Sequence, residues 1–234
     1  MRTNEIKPMP WSLKLQNCPG HSPFAPEEMA PYLLNSFQNW TWNKLFRGSF
    51  VRAHGIRFQA IARTNDMAFT CEALARAGLI SVIPEAYVTY RVGTGTSLQQ
   101  TNDVTPTAFW EAYKDTKSRL EKAAVYQQYE RSFLNTVLSG TIHNLRSVKN
   151  ESAYHAIVQT MLAQTDVFGL DCFERSYYYS RKDYFLYKKI LGNPHKQIPL
   201  QGNPIFWKLY GGIAYLRNHG VRRTVARLIN KNKK

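Results

Sequence analysis

Three cysteines, Cys18, Cys71 and Cys172, are too few, too widely spaced and odd in number to make a disulfide framework, and they form no metal-ligand pair. No apolar run approaches the length of a membrane span. Met1 is followed by a polar, proline-rich stretch without the apolar core of a secretory leader. A reducing cytoplasm is the compartment these absences favour. Before Trp42 there is no Asp and no glycine-rich strand-to-helix turn, and Pro8, Pro10, Pro19, Pro23, Pro26 and Pro31 interrupt any regular pattern. Asp-x-Asp occurs nowhere in the chain, and residues 184–234 hold no acidic residue at all.

What is present sets other bounds. With 44% hydrophobic and 13% aromatic residues among 234, the chain can bury one sizeable core, or a modest core with a helical appendage, and is not disordered by composition. The net charge of +15 is uneven. Eleven basic residues fall in the acid-free 184–234 stretch, so the rest of the chain is close to balance. Within that stretch Phe206, Trp207, Tyr210 and Ile213 form an aromatic-rich segment, and Val221, Val225, Leu228 and Ile229 keep a helical stripe opposite Arg222, Arg223 and Arg227. A basic amphipathic helix of this kind suits an anionic membrane interface, so residues 204–234 are a candidate for contact with one.

Residues 42–98 carry the densest motifs: WNKLF, HGIRF, NDMAF and YRVGTGTSL, in that order. Thr64 and Asn65 can each cap a helix, and Met67, Phe69, Leu74 and Leu79 keep a mostly helical spacing that stops at Gly78. Asp66 then sits in a first helical turn, where unpaired backbone N–H groups and the helix dipole favour its ionised form, a carboxylate able to take a proton at neutral pH. A β-rich run over residues 80–92, broken by Pro84, leads to Arg91 and then Gly93, Thr94, Gly95, Thr96 and Ser97. Glycines, hydroxyls and a guanidinium in one short stretch suit a phosphate or diphosphate. Trp42 and Phe46, aromatic residues at helical spacing, read first as packing residues. The six histidines form no convincing metal spacing.

This ordered set, over roughly residues 26–125, resembles the bacterial family-2 glycosyltransferases, GT-A enzymes that move a sugar from a nucleotide-diphosphate donor to an acceptor hydroxyl. The resemblance implies an α/β fold: a partial GT-A-like (Rossmann-like) catalytic region followed by a mainly α-helical C-terminal region. It implies Asp66 as catalytic base, Arg91, Thr96 and Ser97 at the donor diphosphate, and Trp42 and Lys44 on the acceptor side. Where the family often has Glu before the catalytic Asp, this chain has Asn65. The family also implies a divalent cation, Mg or Mn, yet the Asp-x-Asp motif that would hold it is missing. The nucleotide-binding half needs several βαβ units of about 30 residues each, and no stretch before Trp42 reads as such. The expectation is therefore a truncated reading frame or gene fragment.

Beyond the motifs the chain reads as helical over residues 105–121, 125–145 and 154–163, with a further tyrosine-rich candidate at 177–191. A boundary near Asp103 divides the GT-A-like part, 1–103, from a helical extension with the basic tail, 104–234. Three functions follow. The first is glycosyl transfer for cell-surface polysaccharide, with a nucleotide-sugar donor, a glycan or lipid-linked acceptor and a place at the inner face of the membrane. The second is a non-catalytic remnant or accessory membrane-surface protein. The third, nucleic-acid binding, finds no helix-turn-helix, zinc or RNP-like pattern and is set aside.

Overall fold

The computed structural model describes residues 6, 7, 9, 12–91 and 102–198. The chain divides into two compact units, Met1–Gln197 and Ile198–Lys234, and all but the first residue of the second lies outside the described residues. Among the described residues the first unit is built from helices: α1 (Leu33–Ser36), α2 (Gly48–Ala53), α3 (Asp66–Arg76), α4 (Ala108–Lys122), α5 (Tyr126–Ser147), α6 (Glu151–Ala163), α7 (Thr165–Phe168) and α8 (Arg181–Leu191). The expected partial α/β, Rossmann-like region is overturned. Among the described residues no sheet forms, and the only β pairings are two isolated bridges, Leu13 with Phe37 and Phe24 with Ile80. The β-rich run at 80–92 fails to become a strand for a physical reason. A strand needs a neighbour for its backbone groups, and after Ile80 the described chain offers none.

The long helix α5 is the centre of the unit. Tyr129, Phe133, Val137 and Leu138, with Leu134, Ile142 and Leu145, line it at three- and four-residue intervals, all at most 2% exposed. Burial of each such side chain stabilises the fold by roughly 1.5–3 kcal/mol before the cost of ordering. The one-turn α1 seats Leu33 and Leu34 on this face, and the Leu34 N–H donates to Ser132 Oγ of α5 at 2.6 Å. On another side α4 buries Phe109, Trp110, Tyr113 and Leu120, and the Trp110 indole N–H donates to Gln164 Oε1 at 2.9 Å. A Cβ on Gly140 of α5 would collide with the Tyr113 hydroxyl, so glycine is what lets α4 approach so closely there. The Arg146–Asp183 pair, 3.2 Å, ties α5 to α8.

Helix α3 is buried along its length from Met67 to Ala75 and packs between α1 and α4. Its one buried charge, Glu72, is met by Arg76 at 2.6 Å and by Arg119 of α4 at 3.5 Å. A charge at that depth requires such partners. Because α3 and α4 share this contact, residues before and after Asp103 contribute to one core. Helix α4 ends in a Schellman-type turn: Ala124, at φ 56°, donates to Glu121 O at 2.9 Å, and Val125 donates to Leu120 O at 3.0 Å.

Candidate functional site

The start of α3 and the loop over residues 38–44 come together. Asn39 is pinned to the helix, its carbonyl accepting from Thr70 Oγ1 at 3.5 Å and its amide oxygen from the Cys71 thiol at 3.4 Å. The Lys44 ammonium closes the same loop, donating to Gln38 O at 2.6 Å, Trp40 O at 2.7 Å and Asn43 Oδ1 at 2.8 Å. Those three bonds use all three of its protons. Lys44, expected on the acceptor side, thus holds its own loop, and it reaches Asp66 through its charge.

Asp66 opens α3, as the sequence predicts, but its cap differs. Asn65 occupies the N-cap position in helical conformation and its side chain bonds nothing there, while Thr64 is held at φ 63°. A β-branched residue in the left-handed region is strained. The expected ionising effect of the helix start is also outweighed. Burial pushes the Asp66 carboxyl above the usual carboxylate range, against its own backbone N–H and the Lys44 charge, which both lower it. Burial likewise lowers Lys44 to about 8, opposed by Cys71 and Asp66, and pushes the Cys71 thiol up to about 12. The result is a half-buried carboxyl whose proton affinity is raised by desolvation and opposed by a neighbouring cation, which is how a base is made more proton-avid.

Aromatic residues flank this cluster. Trp40 and Trp42 stack at 4.8 Å and 18°, and Trp42 and Tyr90 stack at 5.1 Å and 10°. Trp42, read from sequence as a packing residue, is 37% exposed in this stack, whereas Phe46 does pack, edge-on to Phe69 at 5.1 Å. The Tyr90 contact carries the 80–91 segment to the loop, so exposed Arg91 follows directly after the platform. The structure therefore brings Trp42, Lys44 and Asp66 into one neighbourhood with Arg91 next to Tyr90. Thr96 and Ser97 lie outside the described residues, as does the basic segment 204–234.

Sequence reading missed Trp40, Asn39, Cys71 and Tyr90. A signal existed for one of them: Trp40 and Trp42 stand two apart, the spacing that puts side chains on one side of an extended chain. Among the described residues, the Mg or Mn ion implied by the resemblance finds no fitting ligand set. Among the described residues no three His, Cys, Asp or Glu side chains lie together as ligands, and the groups acting on Asp66 are an amine and its own backbone N–H. Among the described residues, no helix is long and apolar enough to cross a membrane. Comparison with family models, with curated proteins and with solved structures finds no match.

Proposed function

We propose that this chain serves glycosyl transfer from a nucleotide-diphosphate sugar, with Asp66 as the general base. Asp66 takes the proton from an acceptor hydroxyl as that oxygen attacks the anomeric carbon. The bond from that carbon to the diphosphate breaks, and the nucleoside diphosphate leaves with the electron pair toward the Arg91 guanidinium. A glycan or lipid-linked acceptor rests against the Trp42 side of the cluster, and Thr96 and Ser97 supply hydroxyls to the diphosphate. The observation that carries this reading is the half-buried Asp66 carboxyl, raised by desolvation at a strained helix start and flanked by exposed stacked aromatics. Activity belongs at the inner face of the cell membrane, with residues 204–234 against anionic lipid and products among the cell-surface glycans.

A second reading is favoured by a specific observation, the lack of a sheet among the described residues. In it the chain is a non-catalytic accessory that keeps the acceptor side alone. The test compares the wild type with Asp66→Asn against a panel of uridine-diphosphate sugars and glycan acceptors. Asp66→Asn should remain folded and lose transfer by roughly 100-fold or more, and equal turnover removes Asp66 as the base. Calorimetry separates the two readings: nucleotide-sugar binding supports the transferase, and glycan binding without it supports the accessory.

A further inference from the structure

Residues 83–91 are an orphan strand in all but pairing. Ile83, Tyr87, Val88 and Tyr90 are exposed, and no residue of this stretch is in a helix or a hydrogen-bonded turn. Their backbone groups pair with no other described residue; the last bond before them runs from the Val82 N–H to Ser22 Oγ, 3.1 Å. Valine, threonine and tyrosine are the residues that favour a pleated, paired backbone, so composition and environment conflict. An exposed edge of this kind is a template for pairing with another chain.

The order of residues selects the occupant. Pro84 lacks an N–H and the chain bends at Glu85, which sets one end of the stretch. From there polar and apolar residues alternate: Ala86, Val88 and Tyr90 share one side of an extended chain, and Glu85, Tyr87, Thr89 and Arg91 share the other. If the stretch is laid antiparallel on itself with Val88 opposite Val88, Ala86 falls opposite Tyr90 and Tyr87 opposite Thr89. Glu85 falls opposite Arg91, twice. The only two charges in the stretch therefore become two cross-strand pairs of opposite sign, while a shift of two residues in either direction leaves both unpaired. Within the chain, Tyr90 of the apolar row stacks on Trp42, while Val88 of the same row is 51% exposed and open to a partner.

We propose that residues 85–91 form an interface with a second copy of this chain, an antiparallel two-stranded pairing about a two-fold axis at Val88. The interface is isologous, so it closes at two copies. It rests on no assumption about the reaction, although Arg91 cannot serve Glu85 of the second copy and a donor diphosphate at once.

The experiment is light-scattering mass against concentration for the full chain at about 0.15 M salt, where only close charge pairs escape screening. The mass should rise from 27.0 kDa toward twice that value as concentration increases. Glu85→Arg and Arg91→Glu should each weaken association by about tenfold or more, and the double variant should restore it. Val88→Pro, which removes a ladder N–H at the axis, should abolish it, with circular dichroism showing that each variant keeps its helices. A monomer at every concentration overturns the proposal. So does a dimer that ignores the charge reversals or that the double variant fails to restore.

Discussion

At the scale of single residues, Asp66 combines properties that normally exclude one another. It opens a helix and lies beside Lys44, both of which favour the ionised form, yet burial prevails and lifts its pKa. A carboxyl whose folded pKa is raised contributes stability only at low pH, and that contribution is lost as pH rises through the folded value. Asp66→Asn should therefore raise the unfolding temperature at about pH 7 and change it little at about pH 3. Thermal melts at the two pH values check this, and a lower melting temperature at neutral pH would contradict it. A substitution that stabilises the fold and removes transfer is what a functional residue under strain should show. The position of Asp66 was legible, because helix starts announce themselves in sequence. Its environment was not, since the loop over residues 38–44 is tied to α3 by the bonds of Asn39 with Thr70 and Cys71, about thirty positions further on.

At the scale of elements, local signals did well and non-local ones failed. Expected helices at 105–121, 125–145 and 154–163 correspond to α4, α5 and α6 with shifted ends, because their apolar periodicity is written within each segment. The 177–191 candidate shrinks to α8, which starts only at Arg181; the Ser180 hydroxyl accepts from the Asp183 N–H at 3.1 Å and caps it there. The run at 80–92 has the composition of a strand, but a strand's partner is not encoded in the strand itself. The turn after α4 yields a quantitative expectation. Ala124 occupies the left-handed position of a Schellman-type turn, where a Cβ costs about 1–2 kcal/mol. Ala124→Gly should stabilise the protein by about 1 kcal/mol, less what the freer unfolded chain loses, a rise of roughly 2–4 °C. Calorimetric melting tests it, and no gain would mean that the turn is relaxed.

At the scale of the whole molecule, one helical unit stands where a sheet-centred domain was expected, and α5 provides the buried centre that a sheet would have supplied. The motifs suggested the reverse because they run through a short segment whose helix, α3, is common to many architectures. The remaining global feature is charge. With eleven basic and no acidic side chains in 184–234, the full chain should bind vesicles containing anionic phospholipid and release them as salt rises, and it should ignore neutral vesicles. Sedimentation with the two vesicle types tests this, and equal binding to both would remove the electrostatic contribution.

Whether Asp66 is a poised base or an ordinary helix-start carboxylate is read most directly from its own titration, followed through the carboxyl carbon resonance with Asp66→Asn identifying the signal. A midpoint above the usual Asp range is the result expected of a base raised by burial beside Lys44. A midpoint at or below that range would mean that the helix start and Lys44 prevail, and the catalytic assignment of Asp66 would lose its physical support.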